Sequence, residues 1–403
     1  MSSKLADWFN ARFPARDMMR EHMTEYYAPK NFNILYYTGS LLLLMIALQL
    51  ISGFFLMAHY VPTSADAFNS VQGIMYDTKW GWLIRYMHVD GVSLIFILIY
   101  LHMGRGLLYG SYRRPRELLW IIGYIIYILM MGEAFFGYVL PFGNLSYWAG
   151  QVITSIIQAL PAVGPALAVL ARGGAGIGTA TLERFLALHA VLWFWIIAAA
   201  IFIHILALHQ VGSNNPDGIE IKENKGADGH PVDGIPFHPY YTVKDIFGVG
   251  VWLTIFAAVI FYAPTMHGVF LERTTFSPAN PMVSLPDVTP PWYLAPFYAM
   301  LRAIPNKDGG IFLMILAVVL PFFLPWLDRS PVKSSRYRPV YRAMILLLAV
   351  TFFTLAWVGE QPPLPKYFLL ERGGAAIYVG FYLLLPFISR WEPTRKVPER
   401  VTS

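Results

Sequence analysis

The stretch RYMHVDGVSLIFILIYLHMGRG, residues 85–106, is apolar along most of its length and yet contains two histidines. Roughly 20 helical residues at ~1.5 Å each span the ~30 Å hydrocarbon core of a bilayer, so the stretch predicts a membrane-spanning helix. His88 and His102 are fourteen residues apart, which is ~40° short of four full turns. Both rings therefore project from nearly the same face, ~21 Å apart along the axis.

A second apolar stretch, residues 182–208, carries a matching pair, His189 and His204. Their fifteen-residue gap overshoots four turns by ~60° and corresponds to a rise of ~22 Å, so these rings also share one face. If the two helices run in the same direction, His88 lies level with His189 and His102 lies level with His204. The sequence therefore predicts two stacked sites with two facing imidazoles each.

A histidine inside a membrane helix is costly, because lipid offers its nitrogens no hydrogen-bond partner, and it is therefore a functional candidate. A single such ring is also compatible with an interhelical hydrogen bond. Two pairs at matched depths favour ligation instead. Two imidazoles without a further protein donor suit axial ligation of haem iron better than zinc, which requires three or four protein ligands. We predict two bis-histidine haems, one near each membrane surface.

The composition is that of an integral membrane protein. The 403 residues are 56% hydrophobic and 13% charged, against about 25% charged in soluble domains. The absence of cysteine excludes cysteine-bound iron–sulfur clusters and covalently attached haem on this chain, so such centres are expected on partner subunits. We expect no removable signal peptide. The net charge of +6 comes from basic loops and indicates membrane topology rather than nucleic-acid binding.

Eight apolar runs long enough to span a bilayer predict an all-α integral membrane fold with eight transmembrane helices. They lie at about residues 36–58, 83–108, 117–139, 182–208, 245–263, 310–327, 340–358 and 374–390. An even number places both termini on one side. Most of the Lys and Arg residues fall in the segments on that side, which the positive-inside rule assigns to the cytoplasm. The second and fourth spans then run in the same direction.

The predicted organisation has two membrane-embedded parts. Residues 32–212 form a di-haem bundle of the first four spans, and residues 245–395 form a four-helix C-terminal part. The remaining segments are an amphipathic surface segment at 1–31, a cytoplasmic loop at 213–244 and a tail at 396–403. Two long outer loops, at 140–181 and 264–309, are more typical of functional than of connecting segments.

Four glycines repeat the spacing of the histidines. Gly39 and Gly53 on the first span, and Gly123 and Gly137 on the third, are each fourteen residues apart. Close helix packing through small residues is one explanation. The shared spacing favours another, in which the missing side chain lets a flat macrocycle lie against the backbone at each haem depth.

Two arginines lie close to histidines of the first stretch. Arg85 and Arg105 each stand three residues from His88 or His102, toward the nearer surface. One interpretation is that the guanidinium groups at these positions bind haem propionates. In the other they simply extend toward the membrane interface.

The chain resembles a known family, the bacterial type of the cytochrome b subunit of the cytochrome bc complexes (quinol:cytochrome c oxidoreductases). The resemblance covers residues 28–390 and rests on the motifs RYMHVDG, LHMGRGLLYGSY, GYVLPFGNLSYW, HQVGSNNPDG, IPFHPYYTVKD, SPANP, PPWY and LRAIPNKDGG. It implies non-covalent b haems, with the low-potential haem on His88 and His189 near the outer surface. The high-potential haem would lie on His102 and His204 near the inner surface.

The resemblance also implies a Q cycle in the bacterial inner membrane. Quinol is oxidised at an outer pocket, electrons pass through both haems, and quinone is reduced at an inner pocket, with proton translocation. The implied partners are a Rieske iron–sulfur protein, a membrane-anchored cytochrome c and a second copy of this chain. Both termini would be cytoplasmic, and no nucleic acid is involved.

The site residues implied by the resemblance fall in three places. Arg184 matches a residue near the outer haem propionates. The inner quinone pocket would include His209, Ser213, Lys244 and Asp245, and the outer quinol pocket Trp292, Tyr293 and Tyr298. A histidine with an aspartate at the cytoplasmic end suits the delivery of protons to quinone; the alternative is that these are solvated loop residues. We assign surface or structural roles to the other histidines, His22, His59, His230, His238 and His267.

The motif PPWY departs from the family, because most relatives have glutamate where this chain has Pro291. The carboxylate that takes a proton from quinol is therefore missing from its usual place. Glu133, on the third span, aligns with a position that faces the outer quinol pocket in the family. An ionisable group at that depth is energetically costly and is therefore a functional candidate, so we predict that Glu133 accepts the proton. The alternative is a buried carboxyl paired with another donor. Asp287 is the second choice.

Two further departures concern shape. Ala149 replaces a glycine of many relatives, and an added methyl in a tight pocket predicts weak inhibition by methoxyacrylate-type compounds. The fifteen-residue gap from His189 to His204 exceeds the fourteen of mitochondrial relatives. We expect ligation to survive, with the inner haem turned or the helix locally adjusted.

Two other functions remain open on the sequence alone. Intramembrane His and Glu residues also suit a proton-coupled transporter, and a di-haem chain also suits the membrane anchor of a quinone-linked dehydrogenase. A reduced-minus-oxidised spectrum separates the transporter, which has no b-type absorption. The co-purifying partner, a Rieske protein or a dehydrogenase, separates the anchor.

Overall fold

The computed structural model describes residues 4–14, 16, 17, 20 and 24–402, and this part of the chain is mostly helical. His22 lies outside the described residues. Within them, eight helices are long and apolar enough to cross a membrane, which confirms the predicted number and fold class. The spans are Ile34–Met57, Gly81–Tyr109, Glu117–Val139, Thr179–Val211, Phe237–Tyr262, Lys307–Leu327, Pro339–Gly359 and Pro365–Trp391.

Four of the spans change helix type along their length. The first begins with a 3₁₀ turn and the sixth is broken into three pieces near Pro321, because proline cannot continue an α-helix without a break. The α-helical parts of the four are Thr38–Met57 in the first, Thr179–Ala187 and Phe194–Val211 in the fourth, Thr242–Tyr262 in the fifth, and Lys307–Val319 and Leu324–Leu327 in the sixth.

Following the predicted topology, we call the end of the bundle that holds His88 and His189 the outer end and the opposite end the inner end. Short helices cover the outer end: Ala67–Tyr76, Asn144–Gln158, Gly164–Arg172 and Ala295–Ala303. At the inner end, strand β1 (Tyr27–Pro29) pairs antiparallel with strand β2 (Gly234–Pro236). The helix Lys4–Asn10 precedes them in the chain.

The start of the eighth span differs from the prediction. The helix begins at Pro365 instead of residue 374, because charged residues in its first turns hide it from a hydropathy pattern. Glu371 is fully buried there and lies 2.6 Å from Arg302 of the outer helix Ala295–Ala303. A buried charge is tolerated when it is paired, so this ion pair extends the helix beyond its apolar run.

The fourth span contains a π-helical turn, Leu188–Trp193, directly at His189. A π-turn takes up one extra residue without changing the faces of the flanking α-helix. The fifteen-residue gap to His204 therefore behaves like a fourteen-residue gap in an uninterrupted α-helix. Of the two outcomes expected for this gap, the structure shows the local adjustment of the helix.

A buried network holds the inner end together. Arg338 is fully buried and contacts Asp328 at 2.7 Å and Glu392 at 2.6 Å, while Arg113 reaches Asp328 at 2.9 Å. Burial alone raises the pKa of the Asp328 carboxyl, but the hydrogen bonds and positive charge of Arg338 hold it below its ordinary value. These contacts join the loop after the second span to the sixth, seventh and eighth spans.

Candidate functional site

The four membrane histidines form the two predicted pairs. The ring centroids of His88 and His189 are 6.1 Å apart, and those of His102 and His204 are 6.4 Å apart. Metal–imidazole bonds of ~2.0 Å, with ~1.1 Å from each nitrogen to its ring centre, place two axial imidazoles ~6.2 Å apart. Both pairs therefore have the spacing that one metal ion between two rings requires, and the second and fourth spans run in the same direction, as predicted.

Hydrogen bonds fix which nitrogen of these rings is available to a metal. Ser52 donates its hydroxyl proton to a backbone carbonyl and lies 3.0 Å from Nδ1 of His88. Thr38 does the same and lies 3.1 Å from Nδ1 of His102. A hydroxyl that has already donated its proton can only accept from the ring. Each Nδ1 therefore carries the proton, and Nε2 is free for a metal.

Sequence reasoning missed both hydroxyl residues, although the sequence contains a signal for them. Thr38 and Ser52 each stand directly before one of the spaced glycines, so the pattern hydroxyl-then-glycine repeats after fourteen residues. On the third span, the residues before the glycines are Ile122 and Phe136, which offer no such partner. The second and fourth spans therefore receive different hydrogen-bonding environments.

Each of the four glycines faces one of the histidines. A Cβ built on the glycine would meet Cε1 of His102 at 3.5 Å for Gly39, of His88 at 3.0 Å for Gly53, of His204 at 2.9 Å for Gly123 and of His189 at 2.6 Å for Gly137. The glycines thus lie at the depths of the two pairs, as their shared spacing predicts. At three of the four positions a side chain would press on the imidazole.

A first cavity of about 200 Å³ surrounds the outer pair. Its wall includes His88, His189, two of the glycines and Arg85, among mostly apolar side chains. The structure therefore brings Arg85 to this cavity, where a propionate could be bound. It places Arg184 elsewhere, since this guanidinium donates to the backbone carbonyl of Leu170 in the outer loop.

A second cavity of about 340 Å³ lies between the third span, the outer helices and the sixth span. It is almost wholly apolar, and its wall includes Met131, Ala149, Pro290 and Tyr298. Burial raises the pKa of Tyr298, and the neighbouring charge of Arg302 partly opposes this. A cavity of this size and character suits an apolar ring compound with few polar contacts.

Trp292 and Tyr293 do not line this second cavity; their side chains pack behind its wall, against the second span. Trp292 donates its indole proton to Ser93 at 3.2 Å, and the Tyr293 ring stacks on Phe96 with 4.1 Å between centroids. The backbone carbonyl of Tyr293 accepts a hydrogen bond from Tyr100 at 2.5 Å. These contacts fasten the segment PPWY to the second span and so position the residues that follow it.

Glu133 does not face the second cavity, which corrects its predicted position. Met131, two residues earlier, lines the second cavity, and two residues of α-helix correspond to a rotation of ~200°. Glu133 therefore points to the opposite side of the third span and lines the first cavity. Its carboxylate lies 3.0 Å from Nδ1 of His189, and its backbone carbonyl lies 3.1 Å from the same nitrogen.

At the inner end, Tyr26 joins two of the predicted quinone-pocket residues. Its hydroxyl lies 3.0 Å from that of Ser213, and its ring centroid is 4.8 Å from that of His209. Sequence reasoning missed Tyr26, which lies in an N-terminal segment expected only to rest on the membrane surface. Burial raises the pKa of its phenol, and the hydrogen bond to Ser213 partly opposes this.

The other inner residues lie on the fifth span. The ammonium of Lys244 is 5.2 Å from the centre of the Tyr241 ring, and the Asp245 carboxyl lies close to Ser40 of the first span. Arg105, expected near the inner propionates, places its guanidinium 5.1 Å from the centre of the Tyr36 ring. Its Nε is buried without a hydrogen-bond partner in the described part of the chain, so it retains a donor for an anion.

Comparison with known proteins identifies two family models in the chain. The family described as cytochrome b/b6/petB matches residues 23–212, and the family described as cytochrome b(C-terminal)/b6/petD matches residues 278–379. The cytochrome b of Allochromatium vinosum is 52% identical, with 98% of each chain covered. The cytochrome b of Rhodospirillum rubrum is 40% identical over 100% of this chain and 97% of its own length.

Two further similarities concern larger assemblies. A protein of Bradyrhizobium diazoefficiens named cytochrome b/c1 is 41% identical over 100% of this chain, which corresponds to 57% of that longer protein. A chain of the solved hyperthermophilic respiratory complex III has a TM-score of 0.87 and 35% identity, and the match covers 96% of this chain and 99% of that one. The similarity in fold therefore extends over all but a small part of the chain.

Proposed function

The chain belongs to the cytochrome b family, and from this premise we propose that it is the cytochrome b subunit of a bacterial quinol:cytochrome c reductase. In this role it oxidises quinol in the second cavity and reduces quinone at the inner pocket, with translocation of protons. The histidine pairs carry the proposal, because they lie between the two quinone sites with the spacing of axial ligands.

Two b haems would be held by Nε2 of His88 with His189 and of His102 with His204. When bound, haem supplies one-electron transfer, a chemistry that ordinary side chains do not provide. The surrounding residues orient the rings: Ser52 and Thr38 accept the Nδ1 protons, and the glycines leave room at each depth. Arg85 and Arg105 would bind the propionates of the outer and inner haem, respectively.

Quinol oxidation requires a group that accepts protons at the second cavity. With proline at residue 291 and Glu133 turned away, we assign this role to Asp287, the second choice of the sequence analysis. It directly precedes Val288 in the cavity wall, and its charge acts on the Tyr298 phenol. Asp287 is exposed, so a proton that it accepts can pass to water.

Quinone reduction at the inner end requires proton donors beside a polar contact for the quinone carbonyl. Tyr26, Ser213 and His209 supply such a group of side chains, and Asp245 with Lys244 supplies titratable side chains at the start of the fifth span. We therefore retain the four predicted residues as the inner pocket and add Tyr26 as the residue that positions two of them.

The expected partners are a Rieske iron–sulfur protein, a membrane-anchored cytochrome c and a second copy of this chain. The fused relative named cytochrome b/c1 supports the cytochrome c partner. With no cysteine, this chain cannot itself hold a cysteine-bound cluster, so electrons that leave by the outer side require another subunit. The basic loops support a topology in which both termini lie on the cytoplasmic side of a bacterial inner membrane.

The proposal is tested on the complex purified from native membranes. We expect a Rieske protein to co-purify, and we expect quinol-dependent reduction of cytochrome c that stops when His88 is replaced by leucine. A dehydrogenase in place of the Rieske protein would instead support the membrane-anchor function. A preparation without b-type absorption would support the transporter and end the proposal.

A further inference from the structure

The four histidines differ in the partner of their Nδ1 atom. His88 and His102 meet the neutral hydroxyls of Ser52 and Thr38. Nδ1 of His204 lies near the backbone of Leu119 without completing a hydrogen bond in the described part of the chain. His189 instead meets a carboxylate.

The contact between Glu133 and His189 is closely defined. Nδ1 donates its hydrogen bond to the backbone carbonyl of Glu133 at 3.1 Å, which leaves Nε2 to the metal, and a carboxylate oxygen of the same residue lies 3.0 Å from the same nitrogen. The Glu133 side chain is 14% exposed and that of His189 is 18% exposed. The second carboxylate oxygen of Glu133, Oε2, is buried without a hydrogen-bond partner in the described part of the chain.

This arrangement has a direct electronic consequence. A carboxylate held against the N–H side of a ligand histidine makes the ring more basic, so that the ring donates more charge to its metal. A more strongly donating ligand, together with a nearby negative charge, stabilises the oxidised metal relative to the reduced one. The groups that contact the axial histidines are one of the ways in which a protein sets the potential of a haem.

We propose that Glu133 is a positioning residue that lowers the reduction potential of the outer haem relative to the inner one. The inference rests on the proposed function, since it requires that the histidine pairs bind haem. It explains an intramembrane carboxyl that the proton chemistry of the second cavity does not use. The negative charge also opposes the positive charge of Arg85, which lines the same cavity and by itself would raise the potential.

The test is a redox titration of the b haems in the complex purified from native membranes, with wild type beside Glu133→Gln. Glutamine keeps a hydrogen-bond acceptor and removes the charge. Changes to the groups that contact a ligand histidine typically alter metal affinity or activity roughly 10- to 100-fold. We expect at least a tenfold shift of the outer haem toward the reduced form at a fixed potential, which corresponds to ~59 mV for a one-electron couple.

The matched control is Thr38→Val, which removes a neutral partner from the inner pair. It should leave the outer haem unchanged, and Glu133→Gln should leave the inner haem within about twofold of wild type. An unchanged outer potential in Glu133→Gln, with both haems bound, overturns the inference. An equal shift of both haems also overturns it, because a charge in contact with one ring cannot act equally on a pair ~20 Å away.

A second variant covers the case in which Glu133→Gln loses the outer haem. Glu133→Asp keeps the charge and should hold the outer haem within about threefold of the wild-type ratio. A tenfold or larger rise in the aspartate variant overturns the inference. Failure of haem binding, on which the inference rests, gives a different result, because the wild-type complex would then show no pair of b-type components to titrate. Failure of the reductase function alone shows as a dehydrogenase in place of the Rieske protein and leaves the titration readable.

Discussion

Replacement of Gly137 by alanine tests directly how the third span accommodates the outer histidine pair. A Cβ at this position would lie 2.6 Å from Cε1 and 3.0 Å from Nε2 of His189. Ordinary contact begins at 3.4 Å, so the ring has to move by about 0.8 Å. It cannot move freely, because its Nδ1 is hydrogen-bonded to Glu133 on the same helix as the new methyl group.

The size of the effect follows from the cost of overpacking. An extra methyl in a filled space typically costs ~1–3 kcal/mol. At 1.4 kcal/mol for each factor of ten, haem binding at the outer pair should weaken roughly 5- to 150-fold. Since the displaced ring carries the ligand nitrogen Nε2, itself 3.0 Å from the new Cβ, we expect the upper part of that range and loss of the outer haem during purification.

Two other glycines supply the mirror variant and the control. Gly123→Ala would place a Cβ 2.9 Å from Cε1 of His204 and should weaken the inner haem instead. Gly104→Ala, on the second span, meets nothing within 4 Å and should keep both haems. The assay is the ratio of haem to protein in the purified complex, combined with a redox titration that identifies the remaining component.

Retention of two haems with unchanged potentials in Gly137→Ala would contradict a steric role of Gly137 at the outer pair. Loss of the inner haem in Gly137→Ala together with loss of the outer haem in Gly123→Ala would also contradict it, because the glycines would then act at the wrong depths.

Four further predictions concern other parts of the chain. Ala149→Gly should increase inhibition of quinol oxidation by methoxyacrylate-type compounds, because it enlarges the second cavity; an unchanged inhibition constant contradicts this. Asp287→Asn should slow quinol oxidation about 10²-fold or more without changing either haem spectrum, as expected for loss of a group that accepts a proton; undiminished turnover excludes this residue. Asp328→Asn leaves the fully buried Arg338 without its main counter-charge and should destabilise the inner end by about 3 kcal/mol. The midpoint of thermal unfolding in detergent should fall; an unchanged midpoint contradicts the role of this network. The hydrogen bond from Arg400 holds the pKa of Asp233 below its ordinary value. The contribution of the Asp233 carboxylate to docking of the C-terminal tail is therefore complete above about pH 4 and is lost as the pH falls through the lowered pKa. Exchange of the amide proton of residue 401, which donates to Asp233, should therefore be fast in Asp233→Asn at pH 7, whereas in wild type it becomes fast only in acid; equal protection in both contradicts the assignment.

Much of the fold could be predicted because a membrane span leaves a simple signal. Eight apolar runs gave the number of spans, and the histidine spacing gave the two pairs and the shared direction of two helices. The prediction was wrong at the start of the eighth span, since a buried ion pair replaces apolar character there. Burial of charge depends on a partner far away in the sequence, and hydropathy does not detect it.

The site could be predicted only in part for a similar reason. Glu133 was assigned to the outer quinol pocket by alignment, although its position four residues before Gly137 already places both on one face of the helix. The helical period therefore contained the correct orientation. Tyr26 could not be found in this way, because its contacts with His209 and Ser213 join segments that are distant in sequence.

The most direct test of the two haem sites is the haem content of double histidine variants. Wild type should contain two b haems per chain and His88→Leu one. Replacement of His189 as well should still leave one, because these residues serve the same haem. His88→Leu combined with His102→Leu should leave none. A double variant of the outer pair that loses both haems, or a cross-pair variant that keeps one, would contradict the pairing.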